Sequence, residues 1–327
     1  MNEVTALSQF RSWPEFSSGA LRNLAPPALL VFLVGFIALF VPSFLSVQTL
    51  TMVLADTSVL FILATGETFV ILLGGIDLSI QALASLASVI VAQLLPSLGL
   101  GAFPVAIVAG LLFGVVSGVV HVRLRVPSFV ATLASGGVVA GLALLAAHGR
   151  AITIEEEGRA HVDWINASTF GLPNVIAIAV LVGLAGFFIL RYTRFGRYTV
   201  AVGAGEPAAL AAGVNVDRTK IIGFAISGTL AALAGIILAA RLSSGSPSLA
   251  NQLLLPAIAA VIVGGTAITG GLGSVGRTAI GALIISVVRI GMTFIGVNIF
   301  AENIVFGAML IAAVAITIDR SKIAIIK

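Results

Sequence analysis

Residues 173–191, PNVIAIAVLVGLAGFFILR, run into YTRFGRYTVAVGAGEPAALAAGVNVDRTK, residues 192–220, and then into IIGFAISGTLAALAGIILAAR, residues 221–241. Each flanking run has the length of about 20 residues that an α-helix needs to cross a bilayer core. The stretch between them carries Arg194, Arg197, Arg218 and Lys220. Two apolar crossings joined by a basic loop read as a helical hairpin whose loop stays on the cytoplasmic side.

Working outward, ten such runs appear, at 26–44, 50–74, 78–96, 103–121, 127–147, 173–191, 221–241, 252–270, 278–296 and 302–318. The reading is an all-α polytopic integral membrane protein of about ten transmembrane helices with both termini cytoplasmic. Composition agrees: 59% of the 327 residues are hydrophobic, 9% are charged and the mean hydropathy is +1.18. Soluble domains carry roughly 25% charge. The expected organisation is a cytoplasmic N-terminal segment 1–25, a transmembrane domain 26–318 with an external loop 148–172 and a cytoplasmic loop 192–220, and a cytoplasmic tail 319–327. The apolar run at Pro26 starts late for a signal peptide and no A-x-A site follows it, so it reads as a retained first helix.

Basic residues test the arrangement. Arg11, Arg22, Arg123, Arg125, Arg191, Arg194, Arg197, Arg218, Lys220, Arg277, Arg320, Lys322 and Lys327 fall in segments that the ten-helix count makes cytoplasmic, which is 13 of the 17. Arg150, Arg159 and Arg241 fall outside and Arg289 within a helix. That asymmetry follows the positive-inside rule. The sequence pI of about 10.1 therefore reads as orientation, not as a nucleic-acid surface. With no Cys, and with His121, His148 and His161 on no common helix face, no metal site is expected. No segment is large enough to be a soluble ATP-hydrolysing domain.

Within the cytoplasmic loop, Gly205, Glu206, Pro207, Ala208, Ala209, Leu210, Ala211, Ala212 and Gly213 carry the signals of one short helix. Pro207 suits a first turn, where its missing N–H leaves nothing unsatisfied. Glu206 suits the positive end of the dipole, the alanines favour helix, and Gly213 can end it in a left-handed conformation. So short a helix is marginal alone. It reads either as a docking element or as a passive surface turn.

GAGEPAALAAGVN, residues 203–215, resembles the coupling-helix region of permeases of the ribose, xylose and arabinose type of ABC importer. GETFVILLGGIDLSIQA, residues 66–82, resembles the GGIDLS signature of that family, and GGTAITGGLGSVGRTAIGALI, residues 264–284, its C-terminal glycine-rich segment. The resemblance implies a transport subunit, not an enzyme, in a bacterial inner (cytoplasmic) membrane. It implies two permease subunits around a pathway, two ATPase subunits carrying ATP and Mg, and an external sugar-binding protein. Glu206 to Ala212 would then contact the ATPase, so that Ala209→Asp should abolish transport. Three departures stand out: Gln81 in place of Gly after GGIDLS, Arg277 in place of a small residue, and Arg289 in place of Asn. They leave both a homodimer and a heterodimeric pair open.

Gly271 to Gly276 also fits G-x-G-x-x-G, and Gly271 to Thr278 is one residue from a P-loop. Lying between two membrane-length runs, outside any βαβ unit, it reads as close helix packing and tight turning.

The ionisable residues within apolar runs are Asp56, Glu67, Asp77 and Arg289. Charges at bilayer depth face a cavity or a partner. Asp77, two residues before Ser79, reads as a cap for the next helix or, with Ser79, as a substrate-pathway residue. Arg289 reads as an ion-pair partner of Glu67 or Asp56, or as a pathway residue. Gln81, Asn251, Gln252 and Asn298 are candidates to hydrogen-bond sugar hydroxyls, or helix-to-helix ties. The acidic run Glu155–Glu156–Glu157 in the external loop reads as a binding-protein contact or a solvated surface. Competing functions are a permease of the same fold for branched-chain amino acids, and an ion-coupled transporter using Asp56, Glu67 and Asp77. A membrane enzyme lacks any nucleophile–base pair or metal motif to support it.

Overall fold

A computed structural model of the chain describes residues 19–298 and 301–317. The expected tail 319–327 and most of the N-terminal segment lie outside the described residues. The fold is all-helical apart from two minimal antiparallel strand pairs.

The main helices are α1 (Gly19–Phe40), α2 (Val47–Leu72), α3 (Ile80–Leu98), α4 (Ala102–Arg123) and α5 (Ser128–Ala146). A loop with two single-turn helices, α6 (Glu156–Arg159) and α7 (Asp163–Asn166), leads to α8 (Asn174–Tyr192). Then follow α9 (Arg194–Ala204), α10 (Glu206–Ala211), α11 (Val216–Leu242), α12 (Leu254–Val263), α13 (Val275–Ile295) and α14 (Glu302–Thr317). Six helical stretches among the described residues are long and apolar enough to cross a membrane. One of them, Ile80–Arg123, is two helices folded back on each other: Gly99, at φ +53° and ψ −134°, breaks it between α3 and α4. The segments Leu24–Phe40, Asn251–Val263 and Glu302–Ala315 are apolar but shorter. The chain is thus a polytopic membrane protein.

The centre is α11, packed on α2, α3 and α4. Small residues bring α4 and α11 to backbone contact: a Cβ built on Gly228 would stand 2.2 Å from the Gly110 carbonyl oxygen. Such contact replaces hydrophobic collapse as the cohesive force where the solvent is lipid. The outward faces remain apolar, with Phe32, Leu112, Leu133, Leu145, Leu181 and Phe188 exposed.

Two sequence expectations change. The run 252–270 is not one helix: α12 spans ten residues, about 15 Å at 1.5 Å per residue, half the hydrocarbon thickness. It ends at Gly264, and 264–274 forms a turn in which Gly265, Gly270, Gly271 and Gly273 all have positive φ. The loop 192–220 holds two helices, because α9 precedes the expected short one. Its start is legible afterwards: the Thr193 hydroxyl accepts from the Gly196 N–H at 3.2 Å, an N-cap.

At the end of α11 away from α10, β1 (Ile152–Thr153) of the loop 148–172 pairs antiparallel with β4 (Ser244–Gly245), with Ile152 opposite Gly245. The other pair, β2 (Ser168–Thr169) and β3 (Leu172–Pro173), closes a hairpin within the same loop.

Candidate functional site

Two irregular segments of the bundle, 73–79 and 243–253, adjoin α3. Backbone without helical hydrogen bonds is tolerated inside a membrane protein only where other groups satisfy it. The first break, residues 73–79, joins α2 to α3. Ile76 N–H donates to Ser128 Oγ at 3.1 Å, Asp77 N–H to Glu67 Oε1 at 3.1 Å, and Leu78 N–H to Thr132 Oγ1 at 3.0 Å. Ser79 N–H donates to Asp77 Oδ1 at 2.9 Å. Four consecutive amides are therefore held by side chains of α2, α5 and the turn itself. Ser128 and Thr132 stand one helical turn apart on α5, so one face meets two alternate amides.

Asp77 does not cap α3, since the residue preceding the helix is Ser79. Its carboxylate instead gathers three donors: the Ser79 amide, the Ser79 hydroxyl at 2.5 Å and the Ser227 hydroxyl of α11 at 2.7 Å. Asp77 thereby ties the turn to the central helix.

The second break, residues 243–253, runs back along the middle of α3. Ala250 N–H donates to Ser85 Oγ at 3.0 Å and Ser246 N–H to Ser88 Oγ at 3.2 Å. Gln81, Ser85 and Ser88 share one face of α3 by helical spacing; the two serines are buried and Gln81 is half-buried. Asn251 and Gln252 are exposed, and Gln252 Oε1 accepts from Asn303 Nδ2 at 3.4 Å. Asn298 is exposed at the far end of α13. The candidate polar residues therefore do not converge on one point. Glu67, Asp77 and Ser79 are joined at the first break, Gln81 lies in the first turn of α3, and Asn251 belongs to the second break.

Arg289 forms a separate cluster. Its Nη1 lies 3.3 Å from Asp56 Oδ1 and its Nε 3.9 Å from Glu302 Oε2, with Phe306 5.9 Å from the guanidinium carbon. Ser286 Oγ donates to Asp56 Oδ2 at 2.9 Å. Of the two ion-pair partners expected for Arg289, it takes Asp56; Glu67 lies at the other site. Glu302, at the start of α14, was absent from that expectation because only the fold brings it near.

At the opposite end from the β1–β4 pair, α10 stands off the bundle. Pro207, Ala208, Leu210, Ala211 and Ala212 are exposed, with Leu210 at 64%. Ala209 faces inward and packs with Leu73, Val202, Val214 and Val216. Glu206 Oε2 meets Lys220 Nζ at 2.6 Å, and Gly213 has φ +80°, as a left-handed terminator requires. On the other side of the molecule, Glu155, Glu156, Arg159 and Asp163 line a groove beside Ser243.

The nucleotide-like glycine motif is structural. Gly271 N–H donates to the Leu72 carbonyl at 2.9 Å, and Ser274 caps α13 by accepting from the Arg277 N–H at 3.3 Å. Those amides are engaged within the protein, and among the described residues no βαβ unit surrounds them.

Comparison with known proteins follows the same lines. Residues 49–314 match the family described as branched-chain amino acid transport system / permease component. The chain is 37% identical over 291 residues to the ribose import permease protein of Haemophilus influenzae, covering 87% of this chain and 90% of that protein. It is 36% identical over 309 residues to the ribose import permease protein of Bacillus subtilis, covering 93% and 94%. It is 37% identical over 303 residues to the L-arabinose transport system permease protein of Escherichia coli K12, covering 90% of each. An all-helical bundle with glycine-packed helices and internally satisfied breaks, matched over most of its length, belongs to this permease family: the chain is a transport subunit and not an enzyme.

Proposed function

We propose that this chain is the membrane-spanning subunit of an ATP-driven importer of a monosaccharide of the pentose class, in a bacterial inner membrane. The observation that carries the substrate class is the similarity over about nine-tenths of the chain to permeases named for ribose and for L-arabinose. The family description names branched-chain amino acids, so these are the competing substrate.

In this reading the chain crosses the membrane ten times with both termini cytoplasmic. The segment 243–253, α12 and the turn 264–274 together make one crossing. The exposed face of α10 supports an ATPase contact, and ATP and Mg belong to that partner. A second permease subunit completes the pathway, and the groove at Glu155 and Asp163 faces an external binding protein. Glu67, Asp77, Ser79 and Gln81 at one break and Asn251 at the other border the moving parts.

The test is uptake into proteoliposomes holding this chain, its co-purified ATPase and a binding protein. ATP-dependent accumulation of labelled ribose or arabinose, with no leucine uptake, is the expected result. Leucine uptake would overturn the sugar assignment. Transport without ATP by the chain alone would overturn the importer reading.

A further inference from the structure

Glu67 and Asp77 are both 0% exposed. They are in van der Waals range of one another, since Asp77 N–H donates to Glu67 Oε1. Their surroundings differ. Asp77 accepts three hydrogen bonds, two from hydroxyls and one from an amide. Glu67 accepts one, on Oε1, while Oε2 is buried without any hydrogen-bond partner.

Among the described residues no ion pair reaches either carboxylate, and Arg194 and Arg197 of α9, with Arg123 and Arg125 at the end of α4, are exposed. Among the described residues, α3, α5 and α12 carry no charged side chain. On α11, Asp217, Arg218 and Lys220 sit in the first turns and Arg241 at the far end, where its Nη1 binds the Ala55 carbonyl. On α13, Arg289 is engaged by Asp56 and Glu302, and Arg277 Nη1 reaches the Gly265 carbonyl. His121 of α4 binds the Val126 carbonyl. On α8, Arg191 is in the last turn. Two adjacent carboxylates buried without a counter-ion are not sustainable as two charges.

We propose that Glu67 is a proton-binding site: it holds one proton on Oε2, so the Glu67–Asp77 pair bears a single negative charge, which resides on Asp77. The donors decide which of the two is ionised, because three hydrogen bonds favour the charged form of Asp77. The neutral Glu67 keeps the turn 73–79 docked against α2 through its bond to the Asp77 amide.

The experiment is infrared spectroscopy and thermal unfolding of the full chain in detergent, in wild type and Glu67→Gln, with sodium or choline as the only cation. The expected result is a protonated-carboxyl stretch at neutral pH that is insensitive to the cation and absent from Glu67→Gln. That variant should melt no lower than wild type. No such stretch in wild type, or its persistence in Glu67→Gln, would overturn the proposal. So would failure of Glu67→Gln to fold, since glutamine keeps the size and neutrality of the protonated side chain. Stabilisation by sodium that Glu67→Gln abolishes would assign the site to a metal cation instead.

Discussion

Gly203 lies directly against the carbonyl of Leu72: a Cβ built on Gly203 would stand 1.8 Å from that oxygen and 2.5 Å from the Gly271 nitrogen. Because Gly271 N–H also donates to Leu72 O, three chain segments meet there backbone to backbone. They are the end of α2, the end of α9 beside α10, and the glycine turn before α13.

Gly203→Ala should disrupt this junction. Its neighbours are backbone atoms, which yield less than flexible side chains. Overpacking of this kind typically destabilises by about 1–3 kcal/mol. A lowered melting temperature and a reduced ratio of transported solute to ATP hydrolysed are expected. An unchanged ratio would show that the junction does not transmit motion from α10.

Leu210, not Ala209, is the residue of α10 that a partner would meet. Leu210→Asp should abolish ATP-dependent transport and ATPase co-purification while leaving the unfolding free energy within about 0.5 kcal/mol of wild type, as exposed substitutions do. Ala209→Asp should instead destabilise the chain, because it buries a charge among Leu73, Val202, Val214 and Val216. Comparing the two by pull-down and by thermal unfolding separates docking from folding.

Ser128→Ala and Thr132→Val should each leave a turn amide without its acceptor, those of Ile76 and Leu78. The expected loss is roughly 1–3 kcal/mol per site. Thr132→Ser keeps the hydroxyl and should stay near wild type. Denaturant titration in detergent checks this, and equal losses for Val and Ser would point to packing.

Asp56 and Arg289 should show coupling in a double-mutant cycle of Asp56→Asn and Arg289→Met. Contacting charged residues couple by about 0.5–3 kcal/mol. The partial exposure of both side chains, 25% and 18%, places the value toward the lower part of that range. Glu302, the second acid near Arg289, supplies a control, since Glu302→Gln should couple less at its longer 3.9 Å separation.

Sidedness follows from the absence of cysteine. A single Cys at Ser168 should react with an impermeant thiol reagent from outside intact cells, and one at Ala212 only after permeabilisation. Thr199, though also in the loop 192–220, is buried and would mislead. The reverse pattern would invert the topology.

Composition and run length by themselves determined that the chain is a multi-pass helical membrane protein, because 59% hydrophobic residues in helix-length runs admit no other solvent. The short helix at Glu206 was equally legible, since proline, alanines and a terminal glycine act locally. Tertiary structure alone decided the rest. It shortened the run 252–270 to α12, because a run's hydropathy records burial and not whether its amides find helical partners. It turned Ala209 inward and Leu210 outward, which depends on the docking of α9. It brought the Ser227 hydroxyl of α11 to Asp77, Glu302 to Arg289, and Ser128 and Thr132 to the turn amides. Each of those contacts joins residues far apart in the chain, and local periodicity carries no information about which distant hydroxyl will replace water for a buried amide.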